Sequence, residues 1–434
     1  MIINYYIKEN KTFFNYKTET PEEFHGQGEV KYLNLKNKEG YVFFDYEVKN
    51  INNDLMAFMS IIIFYPFIKK NITFDFKVSE FFIKNMKKID KFKNTVIKAE
   101  TKRKIRYKHT GKNYLITVGG GMDSTSIMCL FKDAFLYHQK GKEKVDINLL
   151  CKKLKMKREP HIVDTNIKDF LKEKYFTHWI SVFLGSILVC MDNNIGYIFL
   201  GTPLENKIFK NNTYNNLFSN SKYDIHAFLK DLGILFVYPL IGCSEILSSN
   251  IVYENNVHDY VIYCDKGKNN SACHNCYKCL RKNLELCYHG KKYSKNYFKN
   301  YENTYNLIKK SNSYNFLNIF IFKNKNYYAD KSPELYDYRK KYSYNTNWCD
   351  KIYTPLYLEN TDKIYKIILT KLKKYAKPMN HTEEIKLLNY DGNKLHLSNK
   401  DIIEAFSVKT SDTYYDILYL VTIIVLLFIV KYLM

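Results

Sequence analysis

Gly119-Gly120-Gly121-Met122-Asp123-Ser124, followed by Thr125 and Ser126, ends an apolar run that begins at Tyr114. Three consecutive glycines let the backbone turn tightly and come close to a ligand. The free amides of the helical turn that follows, with the positive end of its dipole, favour an anion there. The chemistry on offer is phosphate binding. A P-loop NTPase would need Gly-Lys-Ser/Thr at a set distance, which is absent, and Ser124 stands where a dinucleotide fingerprint has its third glycine. An ordinary glycine-rich turn between a strand and a helix is the rival reading.

Cys264, Cys273, Cys276 and Cys279 form a second group, spaced C-x8-C-x2-C-x2-C. Each C-x-x-C step can place two sulfurs on one ion, so four thiolates this close suit a tetrahedral zinc site that is closed to substrate and therefore structural. An iron–sulfur cluster and four unrelated thiols are the alternatives. The N-terminus MIINYYIKENK lacks the charged segment, apolar core and small-residue cleavage site of a secretory leader. A cytoplasmic, reducing setting without disulfides is the expectation.

The glycine loop resembles the S-G-G-x-D-S loop of the PP-loop, or N-type, ATP pyrophosphatases, with Gly119 in place of the first serine. Followed by this cysteine spacing from Cys264 onward, it resembles the 7-cyano-7-deazaguanine synthases, PP-loop ligases of queuosine precursor synthesis. The likeness spans residues 110 to 290. Tyr238-Pro239-Leu240 with Ser244-Glu245-Ile246 also looks like that family's P-L...K-x-E-I segment, although no lysine stands two residues before Glu245. Arg281 lies one residue nearer the last cysteine than the family arginine. The run CYKCLRKNLELCYHGK looks more like uncharacterised PP-loop relatives, with a looser likeness to carboxylate-adenylating muramoyl-alanyl-glutamate epimerases.

The resemblance implies cleavage of ATP to AMP and pyrophosphate, with activation of an oxygen of a small-molecule acceptor. It assigns nucleotide binding to Gly119, Gly120, Gly121, Met122, Asp123, Ser124 and Thr125, catalytic roles to Asp123 and Ser124, and zinc to the four cysteines. Asp123 orients the loop or helps retain Mg²⁺, a hard cation suited to carboxylate and phosphate oxygens. Gly201 and Thr202, after an expected strand, line the nucleotide pocket or form a plain turn. Sulfur transfer would need a reactive thiol, and the candidates Cys129, Cys190 and Cys243 all stand in apolar sequence where inert cysteine is usual.

Those motifs need a frame to hold them. Tyr114 to Val118 reads as a first parallel strand and Ser124 to His138 as its helix. Strands at His161–Asp164, Tyr197–Gly201 and Leu235–Tyr238, with a helix near His178–Asp192, continue the alternation. The expected class is α/β, a Rossmann-like parallel sheet with helices on both faces and ligands at the carboxyl ends of the strands. The 434 residues leave room for more than one domain: an N-terminal α+β region over 1–100, the PP-loop domain over 101–290, and a basic Tyr/Lys-rich region over 291–434. In the first, Leu55 to Ile68 is too short and interrupted to span a membrane.

The net charge of +23 suggests a polyanion partner, but lysine, asparagine, isoleucine and tyrosine are all abundant together, so nucleic acid is possible without being favoured. Ile417 to Val430 is apolar apart from Thr422. A helix of that length covers about 21 Å against a ~30 Å hydrocarbon core, and the extension to Leu433 leaves a membrane tail anchor and a core helix as equal readings.

Overall fold

A computed structural model describes residues 1–17, 39–64, 68, 71–89, 92–102, 111–140, 146–167, 180–204, 225–261, 264, 273, 279, 285, 288–289 and 348–388. The strands are β1 (Ile2–Lys8), β2 (Lys11–Lys17), β3 (Glu39–Phe44), β4 (Asn71–Phe74), β5 (Val78–Ser79), β6 (Val96–Lys98), β7 (Thr101–Lys102), β8 (Asn113–Thr117), β9 (Phe135–Gln139), β10 (Pro160–Val163), β11 (Ile195–Phe199) and β12 (Leu235–Val237). The helices are α1 (Asn53–Phe64), α2 (Glu80–Met86), α3 (Met122–Leu130), α4 (Ile147–Leu154), α5 (Ile180–Asn193), α6 (Ile225–Asp231), α7 (Glu245–Glu254), α8 (Pro355–Leu358), α9 (Lys363–Leu372) and α10 (His381–Leu388).

The central sheet is parallel throughout, in the order β10-β9-β8-β11-β12. Numbered along the chain, that is 3-2-1-4-5. Helices α3, α4 and α7 bury their apolar residues on one face, with Ile116, Leu136, Phe199 and Val237 of the strands. Helices α5 and α6 cover the other face with Leu115, Tyr137, Ile198 and Phe236. Strands covered on both sides are the reason these segments read as near-continuous apolar runs. The α/β class with helices on both faces of a parallel sheet is therefore observed.

One expected element is corrected. The helix anticipated from Ser124 to His138 stops at Leu130, and Phe135–Gln139 is strand β9. Phe131 leaves the helical region at φ −131°, and a short link turns the chain back beside β8, where Leu115 pairs with Phe135 and Thr117 with Tyr137. The face of Ile127, Leu130, Phe131 and Ala134 is buried as helical spacing suggested, but Phe-Leu-Tyr-His-Gln carries the aromatics that fit a pleated surface.

The N-terminal sheet has the order β3-β2-β1-β4-β6. Its hairpin β1–β2 turns through Glu9 at φ 51° and Asn10 at φ 61°. A two-residue turn that matches strand twist requires such a left-handed pair. Along β2, Thr12, Phe14 and Tyr16 are buried while Lys11, Phe13, Asn15 and Lys17 face away, the two-residue period of a half-buried strand. Within the apolar segment Leu55 to Ile68, residues 55–64 belong to helix α1, which is buried on all sides. It lies in one continuous core with the N-terminal strands and α5 and α6, so this region and the central sheet share their interior.

Backbone and side-chain bonds seal the junction. Phe44 bridges Thr165, Asp45 donates its amide to Asp164 O at 2.8 Å, and Asn166 Oδ1 accepts from the Phe43 amide at 2.9 Å. Asp192 at the end of α5 accepts from the amides of Lys49 and Asn50 and from the Tyr46 hydroxyl. Residues 348–388 return to the other face, where Ile364, Ile368 and Leu372 of α9 enter the core of α3 and α7. The Tyr357 hydroxyl, fully buried, donates to Pro239 O at 2.8 Å and accepts from the Gly242 amide at 3.0 Å.

Among the described residues, no helix is long and apolar enough to cross a membrane. The apolar segment 417–433 and, within the basic Tyr/Lys-rich region, residues 291–347 and 389–416 lie outside the described residues.

Candidate functional site

Strands β8 and β11 are neighbours; α3, directly after β8, covers one face of the sheet, and α6, further along the chain after β11, covers the other. Chains that diverge to opposite faces open a crevice at the carboxyl ends of the two strands, the place where open α/β sheets hold ligands. The glycine loop follows β8 and Gly201-Thr202 follows β11, so both segments meet at this crevice.

The loop is pinned at its entrance and open above. Val118 donates its amide to Tyr137 O at 2.8 Å, and His138 Nδ1 donates to Val118 O at 2.7 Å. Gly120 lies at φ 74°. That is a left-handed conformation, which favours glycine. A Cβ placed on Gly119 or Gly121 would meet nothing within 4 Å. Gly121 is the N-cap of α3 and supplies no side chain to cap the first turn, whose amides stand at the open side of the loop.

Asp123 is half-buried in that turn. The Ser124 hydroxyl donates to Gly121 O at 3.2 Å and Thr125 to the same carbonyl at 2.9 Å, while Ser126 donates to Asp123 O at 2.8 Å. These bonds tie the hydroxyl row to the turn's own carbonyls. The long bond of Ser124 is the one most readily exchanged for an anionic acceptor. Gly201 packs against the turn: a Cβ there would stand 2.9 Å from Asp123 Cβ and 3.2 Å from Ser124 N. Thr202 is half-buried beside it, and Thr117 bonds Phe199 O across the strand pair at 3.3 Å. The structure thus brings Gly119 to Thr125 together with Gly201 and Thr202, segments far apart in the chain.

Two residues at this edge escaped the sequence reading. His138 and Gln139 end strand β9, next to the loop strand. Gln139 is only 5% exposed, and neither its carboxamide oxygen nor its nitrogen has a partner among the described residues. An unpaired buried amide is destabilising by roughly 1–3 kcal/mol. The signal was legible only once Phe135–Gln139 was known to be a strand, because within a helix neither residue would have ended at the crevice.

The cysteine cluster is compact. The sulfurs of Cys264, Cys273 and Cys279 lie within 4.8 Å of one another, with Cys273 and Cys279 3.8 Å apart. A tetrahedron with Zn–S bonds of about 2.3 Å has edges of about 3.8 Å, so the spacing fits a metal. The Cys273 amide donates to Cys264 Sγ at 3.2 Å. Such a bond from the surrounding shell stabilises a thiolate. Cys276 lies outside the described residues. The three described sulfurs could hold a metal ion, and their chemistry suits zinc.

Downstream, His289 stacks on Tyr253 at 3.5 Å between ring centroids, and Tyr253 stacks on His258 at 4.2 Å. Ser249 in α7 shares a hydrogen bond of 2.9 Å with His289 Nε2. Burial, and then the neighbouring His258, hold the His289 pKa down at about 4. Of the thiols considered for sulfur transfer, all three are buried, and burial pushes Cys129 up to about 12 and Cys190 higher still. Neither supplies a thiolate at neutral pH.

Residues 224–391 match a family of unknown function, DUF6395. The match takes in the cysteine cluster, α7 and the returning helices α8 to α10, and it leaves the glycine loop outside. No curated protein and no solved structure matches the chain.

Proposed function

We propose that this chain is an ATP-dependent ligase of the PP-loop kind, similar to 7-cyano-7-deazaguanine synthase, that activates an oxygen of a small-molecule acceptor. One observation carries the reading: the loop Gly119 to Ser124 sits at the switch point of a 3-2-1-4-5 parallel sheet, open above its glycines and backed by Gly201. Nucleotide-binding α/β folds place phosphates there. The cysteine spacing adds an independent likeness.

In this reading the acceptor oxygen attacks the α-phosphorus of ATP, the bond from that phosphorus to the bridging oxygen breaks, and pyrophosphate leaves. A nucleophile such as ammonia then displaces AMP from the activated carbon. The chain contributes position and charge. The amides of residues 120 to 124 and the Ser124 hydroxyl, released from Gly121 O, hold the departing pyrophosphate. Asp123 orients the turn and offers an oxygen to Mg²⁺, which shields phosphate charge when bound. His138 fixes the start of the loop through Val118. The cysteines hold a structural zinc that ties together the chain on either side of Cys273.

The test is a screen of purified protein with ATP and Mg²⁺ against pools of small carboxylic acids and nucleobase acids, reading AMP and pyrophosphate together. Acceptor-dependent, equimolar AMP and pyrophosphate is the expected result. Release of ADP and phosphate, or no turnover with any pool by protein that carries metal and is folded, rejects the proposal.

A further inference from the structure

Tyr238 follows strand β12 directly and packs on the same core as Phe236, the one that α6 covers. Its hydroxyl shares a hydrogen bond of 2.9 Å with His226 Nδ1 and lies 3.4 Å from Nε2. The two rings stack with planes 21° apart, and His226 meets Phe236 nearly edge-on at 4.9 Å. His226 is the second residue of α6. Gly233, at φ 95°, turns the end of that helix into β12, so α6 runs back along the strand and begins at the strand's carboxyl end. Both side chains of the pair are half-buried.

The pair stands on the same edge of the sheet as the glycine loop. Leu200 donates its amide to Val237 O at 2.9 Å, which aligns the ends of β11 and β12, and Gly201 then closes on Asp123. The loop opens the helix on one face of the sheet and the pair lies on the other, so the two flank the crevice. With strands about 4.8 Å apart, β12 is about 10 Å from β8, a gap that an adenylated acceptor can span. The other described histidines are committed elsewhere. His138 bonds Val118 O beneath the loop, His161 packs edge-on against Tyr46 at strand β10, His258 and His289 stack on Tyr253, and His381 opens α10.

Displacement of AMP by ammonia needs a group that none of the residues assigned so far supplies. Ammonia is ammonium at neutral pH and has no lone pair until a base removes a proton. We propose that His226 is that base, held by Tyr238, an inference that rests on the ligase reading. His226 Nδ1–H donates to the Tyr238 hydroxyl, which fixes the tautomer and leaves the lone pair on Nε2. Nε2 takes one proton from the ammonium ion, and the freed nitrogen lone pair forms the C–N bond at the activated carbon. The bond from that carbon to the AMP oxygen breaks with its electrons on oxygen, and the second proton passes to water. Imidazole is the side chain suited to such an exchange near neutral pH. Tyr238 acts through the ring as a positioning residue.

The experiment uses the full chain, ATP, Mg²⁺, ammonium chloride and the acceptor pool that supports turnover, and it reads the two half-reactions apart. Exchange of labelled pyrophosphate into ATP, measured without ammonium, reports activation of the acceptor. Ammonium-dependent AMP release reports the displacement. His226→Gln and His226→Ala should keep exchange within about twofold of wild type and lower AMP release by about 10² or more, the range for loss of a general base. Added imidazole should restore part of the release in His226→Ala and none in wild type. Tyr238→Phe, which keeps the stacked ring and loses the hydroxyl, should lower AMP release about tenfold with exchange intact. Full AMP release in the His226 variants, loss of exchange in step with release, or no rescue by imidazole would each overturn the inference while an active wild type leaves the ligase reading standing. A wild type that exchanges no pyrophosphate with any pool would remove the ligase reading and this base with it.

Discussion

Gly201 and Asp123 touch across the mouth of the central sheet, so closely that a Cβ on Gly201 would lie 2.9 Å from Asp123 Cβ. Two strands that carry no shared sequence signal are thereby locked at one point, and the space available to the first turn of α3 is set by a residue far along the chain. Gly201→Val should displace that turn. The expected outcome is a fall of at least about tenfold in pyrophosphate formation, with the circular dichroism spectrum unchanged. Wild-type turnover in the valine variant would show that the contact is incidental.

Asp123→Ala and Ser124→Ala should each lower AMP and pyrophosphate release by about 10² or more, as expected when a group that meets the transferring phosphates is lost. Both side chains lie in the first turn of α3, where neither caps the helix end, so melting temperatures should move little. Quantitative pyrophosphate assay with parallel thermal melts reads both. A folded double variant with full activity would remove the loop from the chemistry.

Gln139→Leu replaces an unpaired buried carboxamide with an apolar side chain of similar size. Such exchanges are neutral or stabilising when no partner is lost. The apo protein should therefore melt at the same temperature or a few degrees higher, while the rise in melting temperature given by added ATP shrinks. A lower apo melting temperature with the full ATP response would mean that Gln139 serves the fold.

Cys279→Ser should reduce bound zinc from about one ion per chain to well below that and lower thermal stability, because metal binding and folding of a thiolate site are coupled. Elemental analysis of protein purified without chelator, with melts before and after chelation, is the check. A metal-free wild type that chelator does not destabilise would dismiss the site.

The His289 pKa is held down at about 4 by burial and by His258. The ordinary histidine value is about 6.5. Above that value the ring is neutral whether folded or unfolded. As pH falls from about 6.5 toward about 4 the unfolded chain takes up a proton that the folded ring refuses, so stability drops across that window and levels off below it. His289→Gln, which does not titrate, should show a flatter melting temperature than wild type across the same window. Parallel curves would place the acid sensitivity elsewhere.

The loop Gly119 to Ser126, the cysteine spacing and the alternation of apolar strands with helices were legible from residue order, because each is a local pattern whose physics needs no distant partner. Glycine permits the turn, thiolate spacing permits shared coordination, and burial on both faces makes a strand apolar throughout. The short link after Leu130 was not legible, since Ile127 to Ala134 keeps helical spacing and only pairing with β8 makes Phe135 to Gln139 a strand. Nor could order alone join Phe44 to Thr165 or Tyr357 to Pro239. Each of those contacts joins distant parts of the chain and forms when separate apolar faces are buried together, a gain that depends on shape across the whole core. Sequence determined which residues can meet a phosphate or a metal; tertiary packing decided which of them stand side by side.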